Sequence, residues 1–257
     1  MISLRPALAT GRPLFGLCHM FPQPGLLERI AGDWDWVWID GQHGLMGYQD
    51  MLAAVRACDL VGVPSIVRVP GHDFGSIGLA LDMGSSGVLV PVVDTVEEAR
   101  NVVQAAKFPP LGGRSYGGRR PVDRQGRLYV ETANVETLLI CQIESPEAVE
   151  HADAIAAVPG VDGLFLGPDD LLLRRGCKMD TPRTPELLRS DMERVINACK
   201  KHGKIGCMVG TGSEEMMRFC LAMGYQMVVG GADVAFLAAG SRHASTEARR
   251  IAASLAG

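Results

Sequence analysis

Eight short apolar runs rich in Val, Ile and Leu recur along the chain, at 14–20, 35–41, 64–70, 87–93, 137–144, 162–168, 204–210 and 226–231. Each is too short for a buried helix and shows little alternation, the pattern of strands covered on both faces. The segments 25–33, 48–62, 74–85, 95–109, 145–160, 184–203 and 213–224 instead carry apolar residues at three- and four-residue intervals, which predicts helices. Thr95 followed by Glu98 reads as a capping box, and Gly224 as a helix stop. Strand and helix thus alternate eight times, which predicts a parallel (β/α)8 barrel in preference to an open doubly wound sheet. The tail, 241–257, reads as a last amphipathic helix that closes the barrel or packs on a neighbouring subunit. With no linker in sight, residues 1–257 are predicted to be a single domain. The longest irregular stretch, 108–134, is expected after the fourth strand, on the side where barrel loops build active sites.

Composition narrows the function classes. The 257 residues are 47% hydrophobic and 21% charged, enough apolar material for one large core. A net charge of −4 leaves no basic track for a phosphate backbone, so nucleic acid is not expected as a partner. No apolar stretch is long enough to cross a bilayer, and "MISLRPALATGRP" lacks the apolar centre of a signal peptide, so a cytoplasmic protein is expected. The seven cysteines are scattered without a C-x-x-C pair, as reduced core residues would be.

In a barrel the catalytic groups stand where strands end. The second run ends in Asp40 and His43, within "VWIDGQHG", the third in Arg68, the fifth in Gln142 and Glu144, and the sixth in Asp169 and Asp170. Glu144 and Asp170 are the minimum protein ligation for a hard divalent ion that keeps other positions for water or substrate oxygens, although structural ion pairs are the alternative. Arg68 offers a fixed fork of donors for a carboxylate or a developing enolate. Histidine is the residue type suited to proton transfer near neutrality, which makes His43 the candidate base, with His19 a competing one. Together these groups describe chemistry next to a carbonyl. Arg114, Arg119, Arg120, Arg124 and Arg127 suit either an acidic aldehyde or phosphate, or a subunit contact. "GTGS" (210–213) and "GGAD" (230–233) are weak phosphate-loop candidates.

The segments "DWVWIDGQHG", "VRVPGHD", "LDMGSSGVLVPVVDTVEEAR", "FPPLGGRSYGG", "QIESPEAVEHADAIAAVPGVDGLFLGPDDL" and "GYQMVVGGADVAFLAAG" resemble, in order, the class II pyruvate aldolases of the HpcH/HpaI type. The resemblance implies a (β/α)8 barrel that uses Mg²⁺, Mn²⁺ or Co²⁺ to cleave 4-hydroxy-2-oxo acids to pyruvate and an aldehyde, in a homo-oligomer, a hexamer. It assigns the metal to Glu144 and Asp170, the enolate oxygen to Arg68, and proton transfer to a His43–Asp82 dyad. It also places the substrate against Gln142 and the backbone around Gly167, Pro168 and Asp169. The chain departs from the family pattern where Gln42 replaces an acid, where "GPADLS" reads "GPDDLLL", and where "GIRG" reads "GGRS". Two rival functions remain: an acyl-CoA lyase of the citrate lyase β type, and a catalytically impaired 2-oxo acid binding protein.

Overall fold

The computed structural model describes residues 2–211 and 213–255. Strands β1 (Leu14–His19), β2 (Trp36–Asp40), β3 (Ser65–Arg68), β4 (Gly87–Val90), β5 (Leu138–Ile143), β6 (Gly163–Leu166), β7 (Ile205–Val209) and β8 (Met227–Ala232) pair in chain order. All pairs are parallel, and β8 returns to β1, so the sheet closes and the open-sheet alternative falls. The helices are α1 (Arg5–Ala9), α2 (Pro24–Ile30), α3 (Tyr48–Leu60), α4 (Phe74–Asp82), α5 (Val96–Ala106), α6 (Arg119–Gln125), α7 (Val130–Glu136), α8 (Pro146–Ala156), α9 (Pro168–Arg174), α10 (Pro185–His202), α11 (Glu214–Met223) and α12 (Asp233–Leu255). Their ends follow the local signals. The Thr95 hydroxyl accepts from Glu98 N–H at 3.2 Å while the Glu98 carboxylate accepts from Thr95 N–H at 2.9 Å, and Gly224 ends α11 at φ 89°.

Period-two alternation divides every strand between two cores. Residues such as Val37, Ile39, Leu139 and Cys141 face the helices. Trp36, Trp38, Ile140 and Phe165 fill the barrel interior, and Leu4, just before α1, seals its N-terminal end. The Trp36 indole occupies the space that a side chain on Gly16 would need. Above this packed floor the inward positions change from apolar to ionic, at Asp40 and Arg68.

The irregular stretch 108–134 does not lie on the active-site side. α5 first carries the chain back down the barrel. Lys107, which caps its end, is buried and donates to Thr137 O, at the foot of β5, and to the Asp162 carboxylate, at the foot of β6, both at 2.7 Å. The stretch therefore covers the N-terminal rim, and it contains α6 and α7. The last helix also differs from expectation: α12 starts at Asp233, directly off β8, and Asp233 is its one buried residue among those described. Among the described residues no helix is long and apolar enough to cross a membrane.

Gly16→Ala should overpack the interior against Trp36 and cost about 1–3 kcal/mol. Urea unfolding checks this through a lower midpoint at unchanged slope.

Candidate active site

A cavity of about 330 Å³ opens at the C-terminal rim, where β2, β3, β5 and β6 bring Asp40, Arg68, Gln142, Glu144, Asp169 and Asp170 together with His43. Asp40 and Arg68 are register partners, so their side chains point the same way. They form a two-point pair, Arg68 Nε to Asp40 Oδ1 at 2.9 Å and Nη2 to Oδ2 at 2.6 Å. The guanidinium also lies over the Trp38 ring, 4.6 Å from its centroid. Arg68 Nη1 takes no part in that pair. Asp40 Oδ1 further accepts from the N–H groups of Gln42 and His43, which curls the loop after β2 over the cavity.

Glu144 follows β5 and is almost wholly buried. Its Oε1 accepts from Val92 N–H at 2.8 Å and its Oε2 from Gln142 Nε2 at 2.6 Å. Val92 has φ 54°, a left-handed conformation costly for a β-branched residue, and this strained residue supplies the amide for Glu144. Burial pushes the Glu144 carboxyl up, and the nearby charge of Asp170 adds to this, against hydrogen bonds from Val92 and Gln142 and the charge of Arg68. Two crowded carboxylates of this kind fit a hard divalent cation, which would relieve their repulsion. A side chain on Gly167 would fill the space beside them, its Cβ 2.8 Å from Gln142 Nε2 and 3.0 Å from Glu144 Oε2. No group of three or more His, Cys, Asp or Glu that could hold a metal is assembled among the described residues.

The turn from β6 into α9 corrects one expectation. Gly167 N–H is already bonded to Ile143 O at 2.9 Å, and Pro168 has no N–H, so neither can donate to a substrate carboxylate. The first-turn N–H groups of Asp169 and Asp170 remain for that role. The Asp169 side chain pairs with Arg183, and burial pushes its carboxyl up against that charge.

Other assignments separate. His43 sits exposed at the mouth, but Asp82 ends α4 on the opposite rim, where Arg114 donates to it at 2.8 Å; the structure does not bring Asp82 to His43 within one chain. Arg120 and Arg124 pair with Asp59, and Arg119 with Asp123, all on that same rim and away from the cavity. His19 faces the helix layer, fully buried, with Nδ1 2.9 Å from Asp233 Oδ2 and outside hydrogen-bond geometry. In "GTGS", Gly212 lies outside the described residues and Gly210 N–H bonds Val229 O; "GGAD" supplies the buried Asp233. Sequence reasoning passed over the cavity's apolar floor of Cys18, Trp38, Phe165 and Val209. Counting back two residues from Asp40 finds Trp38 on the same face.

Asp233 ties the start of α12 to β1. Burial alone would raise its carboxyl, but His19 and the N–H groups of Met20 and Phe21 together hold it below its ordinary 3.8. The stability it contributes is thus complete above that value and lost as pH falls through the folded value. Asp233→Asn should lower the melting temperature at neutral pH and flatten its fall below pH 4 relative to wild type, as calorimetry across pH would register.

The family model described as HpcH/HpaI aldolase/citrate lyase matches residues 23–239. A 4-hydroxy-2-oxovalerate aldolase from Novosphingobium aromaticivorans is 42% identical over 68% of this chain and 68% of its own. A hydroxypyruvate/pyruvate aldolase from Deinococcus radiodurans is 36% identical over 93% of this chain and 87% of its own. The crystal structure of an HpcH/HpaI aldolase from Desulfitobacterium hafniense superposes with a TM-score of 0.87 at 27% identity, covering 97% of both chains. With its barrel, its rim of Arg68, Glu144 and Asp170, and these relatives, the chain belongs to the HpcH/HpaI aldolase/citrate lyase family.

Proposed function

We propose that the cavity reversibly cleaves a 4-hydroxy-2-oxo acid to pyruvate, or a close 2-oxo acid, and an aldehyde. The protein is a carbon–carbon lyase of the aldolase class, as its family membership and aldolase relatives establish. The observation that carries the substrate reading is the meeting, in one small cavity, of the buried Glu144 carboxylate with the half-buried Asp170, a guanidinium braced through Nε and Nη2, and a histidine at the mouth.

Glu144 and Asp170 would hold a divalent ion, Mg²⁺, Mn²⁺ or Co²⁺, which when bound supplies Lewis-acid polarisation of the keto group. The first-turn N–H groups of Asp169 and Asp170 bind the substrate carboxylate. Arg68 Nη1 donates to the oxygen on which negative charge develops, and Asp40 keeps the fork from turning away. In cleavage the 4-hydroxyl proton leaves to His43, the C3–C4 bond breaks with its electron pair moving toward the keto oxygen, and the aldehyde departs. A proton then returns to C3. Leu173 and Met179, at the mouth, bound the side from which the aldehyde comes and goes.

Asp82 orients His43 only between two copies, one presenting its N-terminal rim to the other's cavity mouth. A homo-oligomer also accounts for α12, whose Leu237, Ile251 and Leu255 stand exposed among the described residues; a hexamer fits both requirements. A cytoplasmic setting suits the buried, unpaired cysteines, such as Cys58 and Cys141, whose thiols burial pushes up to about 12.

Exchange of pyruvate methyl protons in D₂O, followed by NMR, tests the reaction class. Wild type with Mg²⁺, Mn²⁺ or Co²⁺ should exchange, the metal-stripped protein should not, and Glu144→Gln should be slower by about 100-fold or more, because even the partners of metal ligands are worth ~10–100-fold. Absence of exchange by folded, metal-loaded protein would refute the pyruvate aldolase reading.

A further inference from the structure

The loop that carries His43 rests on two supports. The first is Asp40, whose carboxylate accepts from Gln42 and His43 N–H and whose carbonyl accepts from Gly44 N–H at 3.1 Å. The second is Met20, just past β1, whose carbonyl accepts from Leu45 N–H at 2.8 Å. The loop is pinched between the two, since a Cβ on Gly44 would stand 3.1 Å from Met20 O and closer still to Asp40 O. Met20 is in turn held from the far end of the chain. Asp233 Oδ2 accepts from the N–H groups of Met20 at 2.9 Å and Phe21 at 3.1 Å, while its Oδ1 accepts from Val234 N–H at 2.7 Å, at the start of α12. An acid that merely capped its own helix would need only the last of these contacts. Asp233 is fully buried, as is His19, whose Nδ1 lies 2.9 Å from the same Oδ2. A carboxylate buried this completely is costly unless donors surround it, so its place is set by the groups it meets.

We infer that Asp233 is a positioning residue for proton transfer: through Met20 and Leu45 it holds the His43 loop over the cavity, and so couples the seating of α12 to the aim of the base. This rests on the aldolase reading, in which His43 moves the proton. The line is short and made mostly of backbone. It runs from the Asp233 carboxylate to Met20 N–H, from Met20 O to Leu45 N–H, and Leu45 stands two residues from His43. Asp233 is also the one buried residue of α12 among those described, so the helix grips its own barrel through the same carboxylate that steadies the loop. The other groups of the cavity are independent of this line. Glu144 and Asp170 follow β5 and β6, across the closed barrel from β1, and Arg68 is braced by Asp40. Loss of the Asp233 contact therefore leaves the cation and oxyanion sides in place and frees the base loop on one side. Proton transfer depends on close approach, and a displacement of about 1 Å can cost up to ~100-fold in rate.

The test is a double-mutant cycle on pyruvate methyl exchange in D₂O, with Mn²⁺-loaded protein and with kcat, KM and Mn²⁺ affinity measured separately. In each turnover a C3–H bond breaks, the proton passes to solvent through the base, and a deuteron replaces it. Asp233→Asn is nearly isosteric but has one acceptor oxygen where Asp233 uses two; it should lower kcat by roughly ten-fold and leave KM and Mn²⁺ affinity unchanged. Leu45→Pro, which removes the N–H at the other end of the line, should do the same. In a His43→Gln background neither change should slow exchange further, because a residue acting through His43 then has nothing to act on, whereas a general loss of structure multiplies with the first. An unchanged kcat in folded Asp233→Asn overturns the inference, and so does a loss that reappears in full in the His43→Gln background or a change in KM or Mn²⁺ affinity in place of kcat. If Asp233→Asn does not fold, Leu45→Pro decides by the same readings. These results leave the aldolase reading intact. Exchange by His43→Gln as fast as by wild type removes the base and the inference together, and no exchange by wild type overturns the aldolase reading itself.

Discussion

The structure above its packed floor depends on one buried ion pair. Arg68 ends an apolar strand inside a barrel, where an unpaired guanidinium would be strongly disfavoured. Asp40 neutralises it from the adjacent strand, and the parallel register that aligns the two also sets Trp38 beneath the guanidinium. A slip of one residue between β2 and β3 would send one partner into the helix layer and leave the other as an unpaired buried charge. The same Asp40 carboxylate anchors the Gln42–His43 backbone, so the arginine's aim and the histidine's loop share one support.

Around that pair the charges are sorted by strand. β2 and β3 contribute a matched pair, whereas β5 and β6 contribute carboxylates that crowd each other and are only partly compensated. This asymmetry gives the cavity a side suited to a cation and a side suited to a developing oxyanion, a few residues apart. The strained Val92, holding Glu144 through its amide, shows the fold tolerating local cost to keep a buried carboxylate in place.

Much of this was legible in the chain itself, for identifiable reasons. All eight strands stood out because parallel strands buried on both faces read as continuous apolar runs, and strand-end position then singled out Arg68, Glu144 and Asp170. What resisted reading depended on direction and on hydrogen bonds. The stretch 108–134 was expected on the wrong rim although a helix at 95–109 was itself predicted: the stretch follows that helix, α5, which reverses the chain, and so continues from the N-terminal rim. α6, α7 and α9, of seven residues each, are too short to show a periodicity. The occupied amide of Gly167 is invisible in sequence, since its partner, Ile143 O, belongs to the neighbouring strand.

The two rims divide the chain's ionic groups by purpose. At the N-terminal rim four of the five arginines expected to make a basic surface meet an acid of their own chain: Arg120 and Arg124 share Asp59, Arg119 has Asp123, and Arg114 has Asp82, while Arg127 lies over the Tyr116 ring. An anionic substrate would have to displace those carboxylates, which argues for a structural and interfacial role. The same pairing constrains any contact between copies. Arg114 is buried against Phe108 and bonded to Asp82, so Asp82 can meet the His43 of a second copy only with its arginine attached. The histidine would then face a carboxylate that already accepts from Arg114, an acid held in place for orienting a ring.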